Sequence, residues 1–220
     1  MRNATGLDNR RWPHYRGLGV GTPRLRSKGG SITMGKKVKI LGFAGSLRKG
    51  SYNRALLKAA TQLVPEGAEL EVFELDGFPG FSEDMEKEPP KKVKDFKAKI
   101  RAADAILIAT PEYNYSIPGV LKNAIDWASR PYGDNAWDGK PVGIMGASIG
   151  MLGTGRAQYH LRQCCVFLNM YPLNRPEVMV PYAQEHIDAS GKVTDQKALD
   201  KVSELLVALV AWTRKLQATA

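Results

Sequence analysis

Cysteine is almost missing from this chain. Its 220 residues hold two, Cys164 and Cys165, side by side in "LRQCCVFL". Neighbours on a helix do not easily bridge, and no Cys/His spacing fits a metal. A disulfide framework and a zinc site are both excluded on this pattern, and a reducing, cytoplasmic compartment is expected. Histidine is scarce as well, at three residues. His160 shares the cysteine helix and reads as structural or as an interface residue, and His186 sits in a late loop with no companion ligand. Long apolar runs are absent too. The longest, "LLVALVAW" near the C-terminus, falls far short of the roughly 20 residues that span a membrane.

What the chain has in excess is positive charge, +10 overall, and it is unevenly placed. Seven of the 32 Lys/Arg and one of the 22 Asp/Glu fall in residues 1–34, which therefore carry +6 and leave +4 for the other 186 residues. Beyond the first 34 residues the cations are mixed with carboxylates. That pattern argues against nucleic-acid binding, which needs a clustered basic face. Residues 1–34 are rich in Arg, Gly and Pro and have neither helical nor strand periodicity, so a disordered basic extension is expected there. It reads as a misassigned start ahead of Met34, rather than as a transit peptide or a basic arm that tethers the domain to nucleic acid or anionic lipid. "GLGVG" inside it follows no strand and makes no dinucleotide fingerprint. Residues 35–220 form the expected globular domain.

From Val38 onward the hydrophobic period alternates between strand and helix. "VKILGFAG", "AELEVFEL", "AILIAT", "PVGIMGAS" and "EVMVPY" read as strands. "SYNRALLKAATQLV", "PPKKVKDFKAKIRAAD", "IPGVLKNAIDWASR", "GRAQYHLRQCCVFLNM" and "DQKALDKVSELLVALVAWTRKLQ" read as the helices between and after them. Strict β-α alternation gives a parallel sheet with helices on both faces. The expected fold class is α/β, a flavodoxin-like, doubly wound, five-stranded parallel sheet. Ligands of such folds bind beyond the carboxyl ends of the strands at the switch point, which directs attention to the loops after strands one, three and four.

The first of these loops, "GSLRKGSYN" (Gly45 to Asn53), lies between a buried strand and a helix. A helix N-terminus offers free N–H groups and the positive end of the dipole. Ser46 and Ser51 add hydroxyls, Asn53 an amide and Arg48 a charged fork suited to phosphate. The loop is one residue short of a P-loop and has Ser51 where the phosphate-reaching lysine would stand, so magnesium–triphosphate chemistry is not expected. A serine-capped helix after a tight turn accounts for this loop equally well. The third-strand loop, "PEYNYSIPG", offers Glu112, Tyr113, Asn114 and Ser116 between Pro111 and Pro118. The fourth-strand loop, "SIGMLGTGR", offers Ser148 and three glycines, Gly150, Gly153 and Gly155, which permit backbone N–H groups to point at a flat ligand. A phosphate cup, an aromatic-polar wall and a glycine-rich edge together suit a phosphorylated flat cofactor.

"GSLRKGSYN", "TPEYNYSIPGVLKNAIDW" and "GRAQYHLRQ" together resemble the NAD(P)H-dependent FMN reductase family, in particular its quinone and chromate reductase branch, over about residues 36–215. The resemblance implies bound FMN, NADPH or NADH as co-substrate, and a homodimer or homotetramer. It places the FMN phosphate on Ser46, Arg48, Ser51 and Asn53. It places the isoalloxazine and ribityl groups along Pro111, Glu112, Tyr113 and Asn114 and against Ser148 and Gly150, with backbone N–H groups of 112–114 tuning the ring. Arg156, Tyr159 and Glu177 become interface candidates. The implied activity is two-electron reduction of quinones, with chromate or other metal oxyanions, azo compounds and free flavin as further acceptors. It requires no catalytic side chain and no metal. A flavodoxin-like electron carrier is the alternative, although carriers of that kind have a strongly acidic surface and a Ser/Thr-rich phosphate loop. Two residues outside the motifs read first as ordinary structural residues, Trp137 in "YGDNAWDGK" and Arg130 at the end of its helix; the alternatives are that Trp137 edges the acceptor site of a neighbouring subunit and that Arg130 reaches a nicotinamide phosphate or an anionic acceptor.

Overall fold

The computed structural model describes residues 36–219. The expectations for residues 1–34, the "GLGVG" segment included, lie outside the described residues. The first strand, β1 (Val38–Ala44), is buried along almost its whole length. It is followed by α1 (Tyr52–Gln62), whose N-cap Ser51 accepts a hydrogen bond from the Arg54 N–H at 3.4 Å. Next come β2 (Ala68–Val72), α2 (Lys91–Ala102), β3 (Ala105–Ala109), α3 (Gly119–Ser129), β4 (Pro141–Ala147) and α4 (Gly155–Phe167). The chain then forms β5 (Tyr171–Pro172), β6 (Val178–Val180), the four-residue α5 (Ala183–His186) and the long α6 (Gln196–Gln217).

All pairings between named strands are parallel, and the order across the sheet is β2-β1-β3-β4-β5, with β6 also on β4. The central strands β3 and β4 are buried at every residue, as their continuous apolar runs require, whereas edge strand β2 alternates glutamates with apolar residues. One face of the sheet packs on α1 and α6 through Leu56, Leu57, Val202, Leu205, Leu206 and Leu209. The other packs on α2, α3 and α4 through Phe96, Ile100, Leu121, Ile125, Leu161 and Cys165. Burial pushes the Cys165 thiol up to about 12, so it stays protonated and apolar at neutral pH.

Two details differ from the sequence reading. The fifth strand is not one continuous element: β5 pairs with Pro141–Val142 and β6 with Met145–Ala147, so two short segments share one edge of β4. Pro172, Pro176 and Pro181 have no N–H to give a ladder, which limits each segment. The expected strand at 68–75 ends at Val72, although Phe73 N–H still donates to Gly42 O at 2.8 Å. No helix among the described residues is long and apolar enough to cross a membrane.

Candidate active site

The three loops singled out by the alternation converge at the carboxyl ends of β1, β3 and β4. They enclose a cleft of about 420 Å³ lined by Ser46, Arg48, Ser51, Tyr52, Asn53, Pro111, Glu112, Tyr113, Ala147, Ser148 and Ile149. Eight of the ten residues expected at the cofactor are therefore together in one place. Asn114 and Gly150 lie next to lining residues without lining the cleft themselves. Tyr52 and Ile149 were not singled out from the sequence, because an aromatic one residue into a helix and an apolar loop residue have no distinguishing pattern.

The β1–α1 loop is arranged as an anion cup. Ser46 and Ser51 are each 5 % exposed. The backbone N–H groups of Ser46, Leu47, Lys49, Gly50, Tyr52 and Asn53 have no acceptor among the described residues. Such a set at a helix N-terminus favours an anion through both hydrogen bonding and the dipole. Arg48 lies over the Tyr52 ring, 5.1 Å from its centroid.

Asn53 has a second task. Its Nδ2 donates to Ala147 O at 2.8 Å, and its Oδ1 accepts from Ala147 N–H at 2.9 Å. The amide is buried and completes the backbone pairing of the last β4 residue, tying the β1–α1 loop to the loop after β4. One N–H of the amide is left for a ligand.

The β3–α3 loop is a tight hairpin. Tyr113 and Ser116 exchange backbone hydrogen bonds at 2.9 and 3.0 Å, and the two residues between them, Asn114 and Tyr115, have positive φ of 49° and 66°. This is the two-residue turn that normally calls for Asn-Gly. Tyr115 in the glycine position hid it from sequence reading. The turn corrects one expectation: Tyr113 N–H is already bonded to Ser116 O and cannot tune a ring, whereas Glu112 and Asn114 N–H have no acceptor among the described residues. The Glu112 carboxylate is turned away from general acid–base work. It pairs with Arg156 and accepts from Ala157 N–H at 3.2 Å in the first turn of α4. Arg156 in turn stacks on Tyr115 at 3.6 Å. Ser116 Oγ and His160 Nδ1 are 2.6 Å apart, and Tyr159 Oη donates to Glu177 at 2.8 Å.

The β4–α4 loop is different. Gly150 N–H donates to Ser148 Oγ at 3.2 Å, so it is not directed at a ligand. Gly153, with φ of 52°, is glycine for another reason: a Cβ there would lie 2.7–2.9 Å from the backbone of Met179 and Val180 in β6. The helical half of the long motif is structural in the same sense. Asn123 Nδ2 and Trp127 Nε1 both donate to Pro79 O, at 2.8 and 2.9 Å, and Asn123 Oδ1 accepts from Phe81 N–H at 2.8 Å.

Neither Trp137 nor Arg130 lines the cleft. Trp137 does not edge any site; it is fully buried against Phe43 and Phe96, with Nε1 donating to Ile125 O at 3.0 Å. Arg130 is held by Glu83 and Glu86, stacked on Tyr132 at 3.9 Å, and lines a different cavity. Among the described residues no group of three or more His, Cys, Asp or Glu is placed to hold a metal.

Known proteins similar to this chain are named as flavin and quinone reductases. The family model described as NADPH-dependent FMN reductase matches residues 38–185. The chain is 52 % identical over 185 residues to an NAD(P)H-dependent FMN reductase of Pseudomonas aeruginosa, covering 84 % of this chain and all of that one. It is 41 % identical over 179 residues to a quinone reductase of Escherichia coli K12, covering 80 % and 95 % of the two chains. Among solved structures, the flavoenzyme NAD(P)H:(acceptor) oxidoreductase FerB of Paracoccus denitrificans superposes with a TM-score of 0.74 at 36 % identity, covering 81 % of this chain and 98 % of that one. With its family match over most of its length and its flavodoxin-like sheet, this chain belongs to the NADPH-dependent FMN reductase family.

Proposed function

We propose that this protein is an NAD(P)H-dependent flavoprotein oxidoreductase that binds FMN in the cleft and reduces quinones by two electrons. The observation that carries this reading is the set of six N–H groups between Ser46 and Asn53 that have no acceptor among the described residues, at a helix N-terminus that suits a terminal phosphate and beside a cleft lined by Tyr52 and Tyr113. FMN, once bound, supplies a centre that takes hydride from NADPH or NADH and passes two electrons to an acceptor.

The chain's own residues position and stabilise. Ser46, Arg48, Ser51 and the free amide N–H of Asn53 hold the phosphate. Pro111, Glu112, Tyr113, Asn114, Ser148 and Gly150 surround the ring and ribityl chain, with Tyr113 and Ile149 as walls. The N–H groups of Glu112 and Asn114 stand ready for negative charge that develops on a reduced ring. The Glu112 carboxylate is not poised as a general acid or base, because it is held by Arg156 and α4. An open flavin face serves small acceptors of several kinds, so chromate, azo compounds and free flavin belong to the same reading.

Residues 35–220 are the reductase domain in this proposal, located in the cytoplasm and assembled as a homodimer or homotetramer. Arg156, Tyr159 and Glu177 are its interface candidates. Val166 and Phe167, each about 80 % exposed on the same helix as Tyr159, give such an interface an apolar part.

The test is an absorbance spectrum of the purified protein, followed by anaerobic addition of nicotinamide nucleotide and then quinone. Flavin bands that bleach with NADPH or NADH and return on one equivalent of quinone support the reductase. Bound flavin that neither nucleotide bleaches supports the electron carrier instead. A protein that neither contains nor takes up FMN overturns both.

A further inference from the structure

The cofactor cleft has a neighbour. A second cavity of about 820 Å³ opens on the other side of the α1 N-terminus, between α1, the end of β2 and the turn at residues 187–191. It shares Arg48, Ser51 and Tyr52 with the cleft, so the Arg48–Tyr52 stack borders both. The cavities beside Phe81, Met179 and Leu70 share no residue with the cleft.

The charge of this cavity is one-sided. Its cations are Arg48, Lys49, Arg54 and Lys58; its acids are Glu74 and Asp188. Both acids are engaged within the protein. Glu74 pairs with Arg54 at 2.8 Å. Asp188 accepts from Ser190 N–H, Ser190 Oγ and Lys192 N–H at 2.8, 2.6 and 3.0 Å, bonds that hold its carboxyl below the usual range. Lys49 and Lys58 have no acidic partner among the described residues. Leu57, Val72 and Ile187 add apolar wall. Two ammonium groups without acidic partners among the described residues, beside apolar surface in a cavity that shares three residues with the cleft, fit a phosphorylated nucleoside.

A nicotinamide dinucleotide is much longer than the ring it reduces. With its nicotinamide in the cleft, its other half must lie along the adjoining protein surface. We propose that this second cavity receives the 2′-phosphoadenosine half of NADPH, with Lys49 and Lys58 meeting the 2′-phosphate. The assignment rests on the proposed flavin reduction by NAD(P)H and makes the protein selective for NADPH over NADH.

The test uses the FMN-loaded protein and the double variant Lys49→Ala/Lys58→Ala, neither residue of which lines the cofactor cleft. Calorimetry compares 2′,5′-ADP with 5′-AMP, which differ at the 2′-phosphate. The expected result is about tenfold tighter binding of 2′,5′-ADP by the native protein and less than twofold in the variant. Kinetically, KM for NADPH rises about tenfold with kcat unchanged, and KM for NADH moves less than twofold. Equal binding of the two adenosine phosphates by the native protein overturns the assignment. So does a variant in which both KM values rise alike, since that is general electrostatic attraction. Flavin that neither nucleotide bleaches sinks the reductase reading itself, whereas bleaching by both with equal KM sinks only the NADPH cavity.

Discussion

The loops after β1 and β4 look alike in sequence and behave differently in the fold. Each joins a buried strand to a helix, and each is furnished with glycine and serine. In the first, most backbone N–H groups from Ser46 to Asn53 have no acceptor among the described residues, and the two serines are buried beside them. In the second, Ser148 N–H goes to Val180, Gly150 N–H to Ser148 Oγ, Gly153 N–H to Gly150 O and Gly155 N–H to Leu152 O. Among the described residues the first loop leaves six of its eight N–H groups without an acceptor, and the second uses half of its eight on itself and on β6. Composition reports which residues could bind; only the hydrogen-bond partners report which remain able to.

The sharpest way to separate the two is at Gly153. Its positive φ and its contact with the β6 backbone leave no room for a Cβ. Gly153→Val should destabilise the protein by about 3 kcal/mol, lowering Tm by roughly 6–12 °C. Thermal melting of the FMN-free protein measures it. FMN affinity of the folded fraction should change little, because the glycine serves packing. A cofactor-specific loss with normal Tm would place Gly153 at the ligand after all.

Asn53 joins the two loops, so its removal should register in both stability and binding. Asn53→Ala leaves the N–H and C=O of Ala147 buried without partners and should cost about 2–3 kcal/mol. Asn53→Asp keeps the acceptor for Ala147 N–H but loses the donor and brings negative charge to the phosphate cup, so it should weaken FMN binding more than the alanine does. Denaturant unfolding and FMN titration of both variants check the ordering. If alanine leaves stability unchanged and only FMN affinity falls, the clasp on Ala147 contributes nothing.

The fold class and the site's location were legible because both depend on patterns that survive without three-dimensional context. Continuous apolar runs gave β1, β3 and β4, and strict alternation placed the loops. What was not legible depends on partners distant in sequence. The division of the last strand into β5 and β6 is set by which half of β4 each segment can reach. Trp137 sits in a polar stretch yet fills the space between Phe43 and Phe96. Arg130 meets two glutamates from a 3₁₀ turn some 45 residues earlier. The hairpin at Tyr113–Ser116 was obscured because Tyr115, and not glycine, occupies its second central position.

A smaller effect is expected at Ser51, which has one local role and one proposed for the ligand. It caps α1, and Ser51→Ala should remove about 1 kcal/mol of stability. In the proposed complex it also gives its hydroxyl to the phosphate, so FMN should bind about tenfold more weakly, equivalent to roughly 1.4 kcal/mol. Melting of the FMN-free protein isolates the first effect and FMN titration the second. A stability loss alone would return the loop to a plain serine cap.

The smallest effect is predicted at Gly150, and it decides how far the comparison holds. The glycine is exposed, and a Cβ there would meet only Ser148 Oγ, at 3.7 Å. Its N–H is bonded to that same oxygen. If the loop keeps this arrangement with FMN bound, Gly150→Ala should change stability by less than about 0.5 kcal/mol, and FMN affinity should stay within about twofold. The companion Ser148→Ala removes the acceptor and frees the Gly150 N–H. Stronger FMN binding in that variant would mean the native N–H is held back from the ring by the serine. A tenfold loss of affinity in Gly150→Ala would mean the opposite: the N–H leaves Ser148 and turns to the flavin when the cofactor arrives, and the β4–α4 loop becomes a second binding loop, concealed in the ligand-free protein by an internal hydrogen bond.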